Sequence, residues 1–158
     1  MSLSIIPAHN SPQVEQVRKL LEEYGNTRKG DPALVSYRRE IQALPGKYGP
    51  PGGVLLLALW EDKAAGCVAL RKLEEGIGEV KRLYVSPDYR RKGIALKLME
   101  HLLAEAEKSG YQKLRLDSIP NMKAAQRLYE SMGFTEIPAY WQNPNVGTRY
   151  FEWSFGRP

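Results

Sequence analysis

Residues 79–95 read EVKRLYVSPDYRRKGIA and decide the fold, because they join a central strand to the start of a long helix. The strand, residues 79–85, ends at Ser86-Pro87. The helix carries two adjacent apolar rows at i, i+4 spacing, which predict a wide buried stripe. It ends at Ser109-Gly110. The rows are Ile94, Leu98 and Leu102, and Ala95, Met99, Leu103 and Ala106.

The start of this helix has the features of an anion site. The first amides of a helix have no intrahelical acceptor, and the macrodipole adds partial positive charge there. Gly93 allows a ligand to approach the backbone closely. Arg90, Arg91 and Lys92 stand beside these amides. The combination predicts a phosphate or pyrophosphate site, and the alternative is a basic, solvated helix start.

The common nucleotide motifs are missing from the sequence. It contains neither the Walker pattern Gly-x4-Gly-Lys-Ser/Thr nor a Gly-x-Gly-x-x-Gly run after the first strand. ATP, GTP and NAD are therefore disfavoured as the phosphate ligand.

The rest of the chain alternates predicted helices and strands. Before the quoted stretch we expect a strand at 4–6, a helix from Asn10 or Ser11 to Gly25-Asn26, a second helix from Asp31-Pro32 to Leu44-Pro45-Gly46, and a hairpin of strands 54–59 and 66–70. After it we expect a strand at 112–116, a helix at 122–132 ended by Gly133, a short strand starting at Phe134, a loop over 137–147 and a strand at 148–155. The interleaving predicts an α/β or α+β class with a mixed sheet.

Size and composition indicate one globular domain spanning residues 1–158. The chain has a mass of 17.9 kDa, 42% apolar and 26% charged residues, and 23 Lys and Arg against 18 Asp and Glu, a net charge of +5. These values disfavour disorder and coiled coil, and the charge suits an anionic partner. One cysteine and two histidines predict no metal site.

The hydropathy pattern and the N-terminus predict a cytoplasmic protein without membrane contact. The longest apolar run, Val54–Trp60, has seven residues, whereas a spanning helix needs about 20. The N-terminal residues lack the basic and long apolar regions of a secretory signal. Cys67 lies in an apolar strand segment, where a buried packing thiol is favoured over an acetylated nucleophile.

The run Arg90-x-x-Gly93-x-Ala95 resembles the Q/R-x-x-G-x-G/A motif of the GNAT superfamily of N-acetyltransferases, and it follows a strand as it does there. Downstream, Asn121, Ala124 or Ala125, Tyr129 and Gly133-Phe134 are similar to the family's Asn…Ala…Tyr…Gly-Phe signature. Alanine at the last motif position leaves slightly less room near a pyrophosphate. Segments 44–51 and 122–125 resemble those of a widespread bacterial subgroup with no settled acceptor.

The resemblance implies a single-domain fold with a mixed, mostly antiparallel sheet of about six or seven strands, splayed in the middle and flanked by about four helices. It implies acetyl-CoA as donor. Backbone amides from Arg91 to Ala95 would hold the pyrophosphate, and the strand around Leu83 to Val85 would pair with the pantetheine. The expected donor-site residues are Leu83, Tyr84, Val85, Arg90, Arg91, Lys92, Gly93, Ile94, Ala95, Asn121, Ala124 and Arg127, with Lys97 and Lys123 as further candidates for the adenosine phosphates.

Acetyl transfer to an amine needs a base, because only about one amine in a thousand is neutral at pH 7. Glu79 is the first candidate and Asp117 the second, although Glu79 could instead pair with a cation and Asp117 could cap a turn. The resemblance places Tyr129 beside the sulfur, where its neutral hydroxyl would protonate the leaving thiolate. The alternative for Tyr129 is packing on the helix face.

The acceptor site is expected between the early helices and the late loop, at Tyr37, Glu40, Tyr48 and Tyr140, with Trp141 and Asn143 nearby. These residues could equally be ordinary packing. The resemblance implies a small-molecule amine or a peptide as the acceptor, and either a monomer or a homodimer. Two alternatives remain: an acyl-CoA-binding regulatory module without catalysis, and a nucleic-acid binder, which the missing helix-turn-helix, zinc-finger and RNP patterns disfavour.

Overall fold

The computed structural model describes residues 2–156. Within this range the chain forms seven strands and four α-helices. In chain order they are β1 (Leu3–Pro7), α1 (Ser11–Asn26), α2 (Tyr37–Gln42), β2 (Val54–Trp60), β3 (Lys63–Glu74), β4 (Ile77–Val85), α3 (Ile94–Lys108), β5 (Lys113–Ser118), α4 (Lys123–Met132), β6 (Thr135–Ile137) and β7 (Arg149–Ser154).

The strands form one mixed sheet in the order β1-β2-β3-β4-β5-β7-β6. All neighbouring strands pair antiparallel except β4 and β5, which are parallel. The expected mixed, mostly antiparallel sheet with four helices is confirmed.

The helices cover both faces of the sheet, because side chains along a strand alternate between its two sides. On β2, Leu56 and Ala58 pack with residues of α3 and α4, whereas Leu55 and Leu57 pack with residues of α1 and α2. We call these two sides the α3 face and the α1 face.

The second predicted helix is wrong as a continuous element. The segment from Asp31 forms a 3-10 turn at Pro32–Leu34, then the short α2, then a second 3-10 turn at Gly46–Tyr48. The Asp31 side chain accepts a hydrogen bond of 2.8 Å from the Ala33 N–H, which caps a turn instead of a longer helix. Val35 is 89% exposed and contributes nothing to a continuous apolar face.

A β-bulge interrupts β4 opposite β3. Tyr84 pairs with Cys67 and Lys81 with Ala69, so Arg82 and Leu83 together oppose Val68 alone. Arg82 has the left-handed φ of +63°. Lys81 lies opposite Ala69 in the sheet and therefore shares its face, the α1 face. Arg82 lies on the same face, because its guanidinium is 4.9 Å from the centroid of the Tyr37 ring. The bulge therefore turns two consecutive cations to one side.

The sheet splays between β4 and β5. Their pairing covers only Ile77–Glu79 on β4 and 113–115 on β5. β4 continues to pair with β3 as far as Val85, and β5 with β7 as far as Ser118. The ends of the two strands diverge and leave a slot through the sheet, as expected.

Candidate active site

A groove of about 590 Å³ lies where the end of β4 meets the starts of α3 and α4. We call it the donor groove. It is lined by Tyr24, Thr27, Leu83, Tyr84, Val85, Tyr89, Arg90, Arg91, Gly93, Ile94, Ala95, Leu96, Asn121, Met122, Lys123, Ala124, Ala125 and Leu128. Ten of the twelve expected donor-site residues are among them, and Lys92 and Arg127 are not.

The start of α3 opens into this groove without a side-chain cap. The first hydrogen bond of α3 runs from the Lys97 N–H to Gly93 O at 3.2 Å. The amides of residues 94–96 lie before it and have no acceptor within the helix. Gly93 has a φ of +77°, and a Cβ built there would meet no heavy atom within 4 Å. Free amides facing open space fit a pyrophosphate.

The three cations before α3 take different positions. Arg90 Nε donates to Val85 O at 2.9 Å, which holds this side chain along the end of β4. Arg91 has a φ of +64° and lines the groove. Lys92 Nζ lies 5.0 Å from the Trp60 ring centroid, outside the groove lining. The exposed Arg127 is also outside it.

Glu23 of α1 fixes the end of β4. The Tyr84 hydroxyl and the Ser86 hydroxyl donate to Glu23 Oε2 at 2.6 and 2.5 Å. Burial, with the neighbouring Glu23 carboxylate, raises the pKa of Tyr84 to about 12. These bonds place α1 as one wall of the donor groove.

A second cavity, of about 110 Å³, occupies the slot between β4 and β5. We call it the acceptor cavity. It shares Tyr24, Leu83, Met122 and Ala125 with the donor groove, so the two spaces adjoin. Its other lining residues are Arg28, Ala33, Leu34, Val80, Lys81, Arg82, Leu116, Asp117, Ser118, Ile119, Tyr129, Trp141 and Asn143.

Asp117, at the end of β5, is half-buried in the acceptor cavity. Its Oδ2 accepts hydrogen bonds from Trp141 Nε1 at 2.8 Å and from Asn143 Nδ2 at 3.1 Å. Within residues 2–156 no hydrogen bond reaches its Oδ1. Asp117 is thus held in place by one oxygen, and the other has no hydrogen-bond partner among the described residues.

Tyr129 of α4 lines the same cavity and is 6% exposed. Its ring packs 5.7 Å from that of Phe134, while its hydroxyl makes no hydrogen bond with any described residue. Burial raises the pKa of Tyr129 above its usual range, and Tyr24 and Asp117 add to that shift. The hydroxyl therefore stays protonated at neutral pH.

Glu79 occupies the last position at which β4 pairs with β5 and is 2% exposed. Oε1 lies 2.8 Å from Arg71 Nη2, and Oε2 accepts the Tyr140 hydroxyl at 2.7 Å. The side chain lines neither the donor groove nor the acceptor cavity. Both oxygens thus serve contacts within the protein.

Tyr37, Glu40, Tyr48 and Tyr140 also lie outside the acceptor cavity lining. The first three surround Arg82: Glu40 accepts from its Nε and Nη2 at 2.7 and 2.9 Å and from the Tyr48 hydroxyl at 2.8 Å. Burial raises the pKa of Glu40, but the hydrogen bonds and charge of Arg82 outweigh it and lower the pKa to about 2. These residues support the cavity from behind.

Sequence reasoning missed Lys81 and Arg28 as cavity residues. A lysine followed by an arginine in a central strand was the available signal for Lys81, because charged side chains are rare in buried strands. Nothing in the sequence around Arg28 pointed to the slot, which α1 reaches only in the folded chain.

Cys67 is fully buried in β3, which confirms the expected packing thiol. Burial raises its pKa to about 12. Among residues 2–156 no group of three or more His, Cys, Asp or Glu side chains could hold a metal ion. In the same range, none of the helices combines the length and apolarity needed to cross a bilayer.

The comparisons with known proteins agree with this geometry. The model of the acetyltransferase (GNAT) family matches residues 14–134. An uncharacterised N-acetyltransferase of Schizosaccharomyces pombe is 34% identical over 142 residues, which cover 88% of this chain and 87% of the relative.

Solved structures match the fold along nearly the whole chain. A GNAT-family acetyltransferase of Staphylococcus aureus has a TM-score of 0.81 at 19% identity and covers 98% of this chain and 100% of its own. The PaiA N-acetyltransferase of Thermoplasma acidophilum, in complex with coenzyme A, has a TM-score of 0.76 at 16% identity, with coverage of 98% and 100%. Together with these matching folds, the family model and the 34% identical relative show that the chain belongs to the GNAT family and is an acetyltransferase.

Proposed function

We propose that the protein transfers an acetyl group from acetyl-CoA directly to a primary amine of a small molecule or peptide, with donor and acceptor bound together. The observation that carries this proposal is the slot between β4 and β5, where the donor groove and the acceptor cavity share four lining residues. A thioester placed from one side would meet an amine placed from the other.

The donor groove offers a holder for each part of acetyl-CoA. The amides at the start of α3 suit the pyrophosphate, since Gly93 leaves open space in front of them. The end of β4, free of β5 beyond Glu79, suits the pantetheine amides. Asn121 and Ala124 line the opposite wall. The structurally similar PaiA N-acetyltransferase of Thermoplasma acidophilum was solved in complex with coenzyme A, which supports a coenzyme A donor.

Asp117 is our candidate for the general base. It lines the acceptor cavity with one oxygen unused, whereas Glu79 uses both oxygens on Arg71 and Tyr140. Asp117 takes a proton from the acceptor ammonium, directly or through water, and releases it to solvent after turnover. The freed nitrogen attacks the acetyl carbon, the carbon–sulfur bond breaks, and the nitrogen gives its second proton to solvent, which leaves a neutral amide.

Tyr129 is our candidate for the general acid. Its hydroxyl is protonated, lines the cavity and makes no bond within residues 2–156, so it is available to the leaving sulfur. It gives a proton to the thiolate of coenzyme A and regains one from solvent. The buried Cys67 takes no part, and a reduced thiol suits the cytoplasm, which we propose as the compartment.

Two measurements test this function. Acetyl-CoA at 100 times its Kd should stabilise the fold by about 2.7 kcal/mol in a thermal-shift experiment, and duplex DNA should not. Release of free thiol from acetyl-CoA should then rise on adding members of an amine panel. Stabilisation without amine-dependent release would leave a non-catalytic binding module, and absence of stabilisation would contradict the donor site itself.

A further inference from the structure

The charges lining the acceptor cavity are unequal. Its charged side chains are three cations, Arg28, Lys81 and Arg82, and one anion, Asp117. If Asp117 receives the proton of the acceptor amine, the cavity loses its one lining carboxylate charge during the reaction. An acceptor that carries a further positive charge would then face cations alone.

Both arginines are neutralised by partners behind the cavity wall. Arg28 Nε donates to Asp31 Oδ2 at 2.8 Å. Arg82 is held by both oxygens of Glu40, at 2.7 and 2.9 Å. These two ion pairs compensate the charges of Arg28 and Arg82. The charge of Lys81, the third lining cation, remains to be explained.

Lys81 has no such partner. Among residues 2–156 its ammonium forms neither an ion pair nor a side-chain hydrogen bond, although the side chain is half-buried. Burial and the neighbouring Arg82 lower the pKa of Lys81 from its usual range, while the nearby charges of Glu79, Asp117 and Glu40 oppose the shift. The bulge at Arg82 keeps Lys81 on the α1 face, towards the slot. An unpaired cation removed from water is costly unless an anion joins it.

We propose that the acceptor amine carries a carboxylate, that Lys81 binds this carboxylate, and that Asp117 faces the amine. The acceptor class is then amino acids. The inference rests on the proposed function and deepens it. The cavity of about 110 Å³ is well above the roughly 10–15 Å³ that a single water needs, which suits the head of an amino acid. A polyamine would place a second ammonium against Lys81 and is disfavoured.

The first test compares matched acceptors with the wild-type protein. Each common α-amino acid is offered with acetyl-CoA beside its own α-amide, which has the same side chain without the negative charge, and beside putrescine and spermidine. For the accepted side chain, kcat/KM for the acid should exceed that for the amide by about 10-fold or more, the range of a charged hydrogen bond. The amide's amine has the lower pKa, so chemistry alone would favour the amide.

The second test assigns the carboxylate to Lys81. Lys81→Met should lower kcat/KM for the acid by about 10- to 100-fold, mainly through KM, and should leave the amide and the KM for acetyl-CoA nearly unchanged. Lys81→Arg keeps the charge and should retain much of the preference. Lys108→Met, on an exposed lysine at the end of α3, is the control for loss of a surface charge.

The outcomes separate this inference from the function beneath it. Equal use of acids and amides, acetylation of polyamines alone, or an equal loss for both acceptors in Lys81→Met would overturn the inference and leave an acetyltransferase in place. Absence of donor binding would overturn both. The acid–amide comparison uses the wild-type protein, so it decides the acceptor class even if a Lys81 variant does not fold.

Discussion

The Tyr140 hydroxyl donates a 2.7 Å hydrogen bond to Oε2 of Glu79, which ties the late loop of residues 138–148 to the last paired position of β4 and β5. Arg71 holds the other oxygen of Glu79 at 2.8 Å. From this point the two strands separate, so Glu79 stands at the closed end of the slot. Its contacts favour a supporting role, and they lead to the first prediction.

Glu79→Gln should reduce the free energy of unfolding by about 1–3 kcal/mol, because the 30% exposed Arg71 would lose its charged partner. We expect kcat and its pH profile to change little. Chemical denaturation and steady-state kinetics measure the two effects, with Glu74→Gln, an exposed acid at the end of β3, as control. A large fall in kcat with loss of the acid limb would instead make Glu79 the base.

Asp117→Asn should lower kcat by about 10²- to 10⁴-fold, the usual contribution of a general base. Asparagine keeps an oxygen for the hydrogen bonds from Trp141 and Asn143, so the fold and the KM for acetyl-CoA should be preserved. Normal turnover by this variant would exclude Asp117 from proton transfer.

Tyr129→Phe should lower kcat while leaving the stability and the acetyl-CoA affinity close to wild type, since no described residue bonds to the hydroxyl. Because burial holds the pKa of Tyr129 above its usual range, wild-type activity should show no loss below pH 10 from its ionisation. Tyr111→Phe is the matched control: it removes a hydroxyl that donates to Gly52 O and should affect stability alone. Equal turnover in both variants would contradict the assignment.

Gly93→Ala and Gly110→Ala form a matched pair at the two ends of α3. Both glycines have a left-handed φ, +77° and +90°, and a Cβ at either meets no protein atom within 4 Å. Each substitution should cost about 1–2 kcal/mol of strain. Only Gly93→Ala should also weaken the binding of coenzyme A, because only that methyl group would enter the donor groove. Isothermal titration with coenzyme A measures the difference, and equal affinities would argue against the pyrophosphate site.

Glu40 should make stability depend on pH. Its pKa is lowered to about 2 in the folded protein from an ordinary value of 4.5, so its contribution is complete above pH 4.5 and is lost as the pH falls towards 2. Linkage makes this contribution on the order of 3 kcal/mol. The stability difference between wild type and Glu40→Gln should therefore shrink through that window. Glu136→Gln, on an exposed pair with Arg149, should show a smaller and salt-sensitive difference.

Local sequence patterns predict those elements in which the pattern and the tertiary packing favour the same structure. The apolar rows of α3 follow from helical spacing, and the structure buries Ile94, Leu98, Met99, Leu102 and Ala106 as that spacing predicts. The segment after Asp31 was misread, because its few apolar residues suit a helix while a side-chain cap and an exposed Val35 favour short turns.

Long-range contacts decided the parts of the site that could not be predicted. The bulge that turns Lys81 and Arg82 to one face depends on register with β3 and has no signature of its own. The engagement of Glu79 depends on Arg71 and Tyr140, which are 8 and 61 residues away along the chain. The sequence identifies the carboxylates that have suitable chemistry for a base, but it does not identify the side chains that each carboxylate contacts in the fold.

The donor groove and the acceptor cavity adjoin through the sheet, and this arrangement affects how such a protein can change its specificity in evolution. The acceptor cavity alone is bordered by Arg28, Ala33 and Leu34 on one side and by Trp141 and Asn143 on the other, and none of these lines the donor groove. On the proposed function, exchange of these two surface segments would change the accepted amine while the donor groove stays intact.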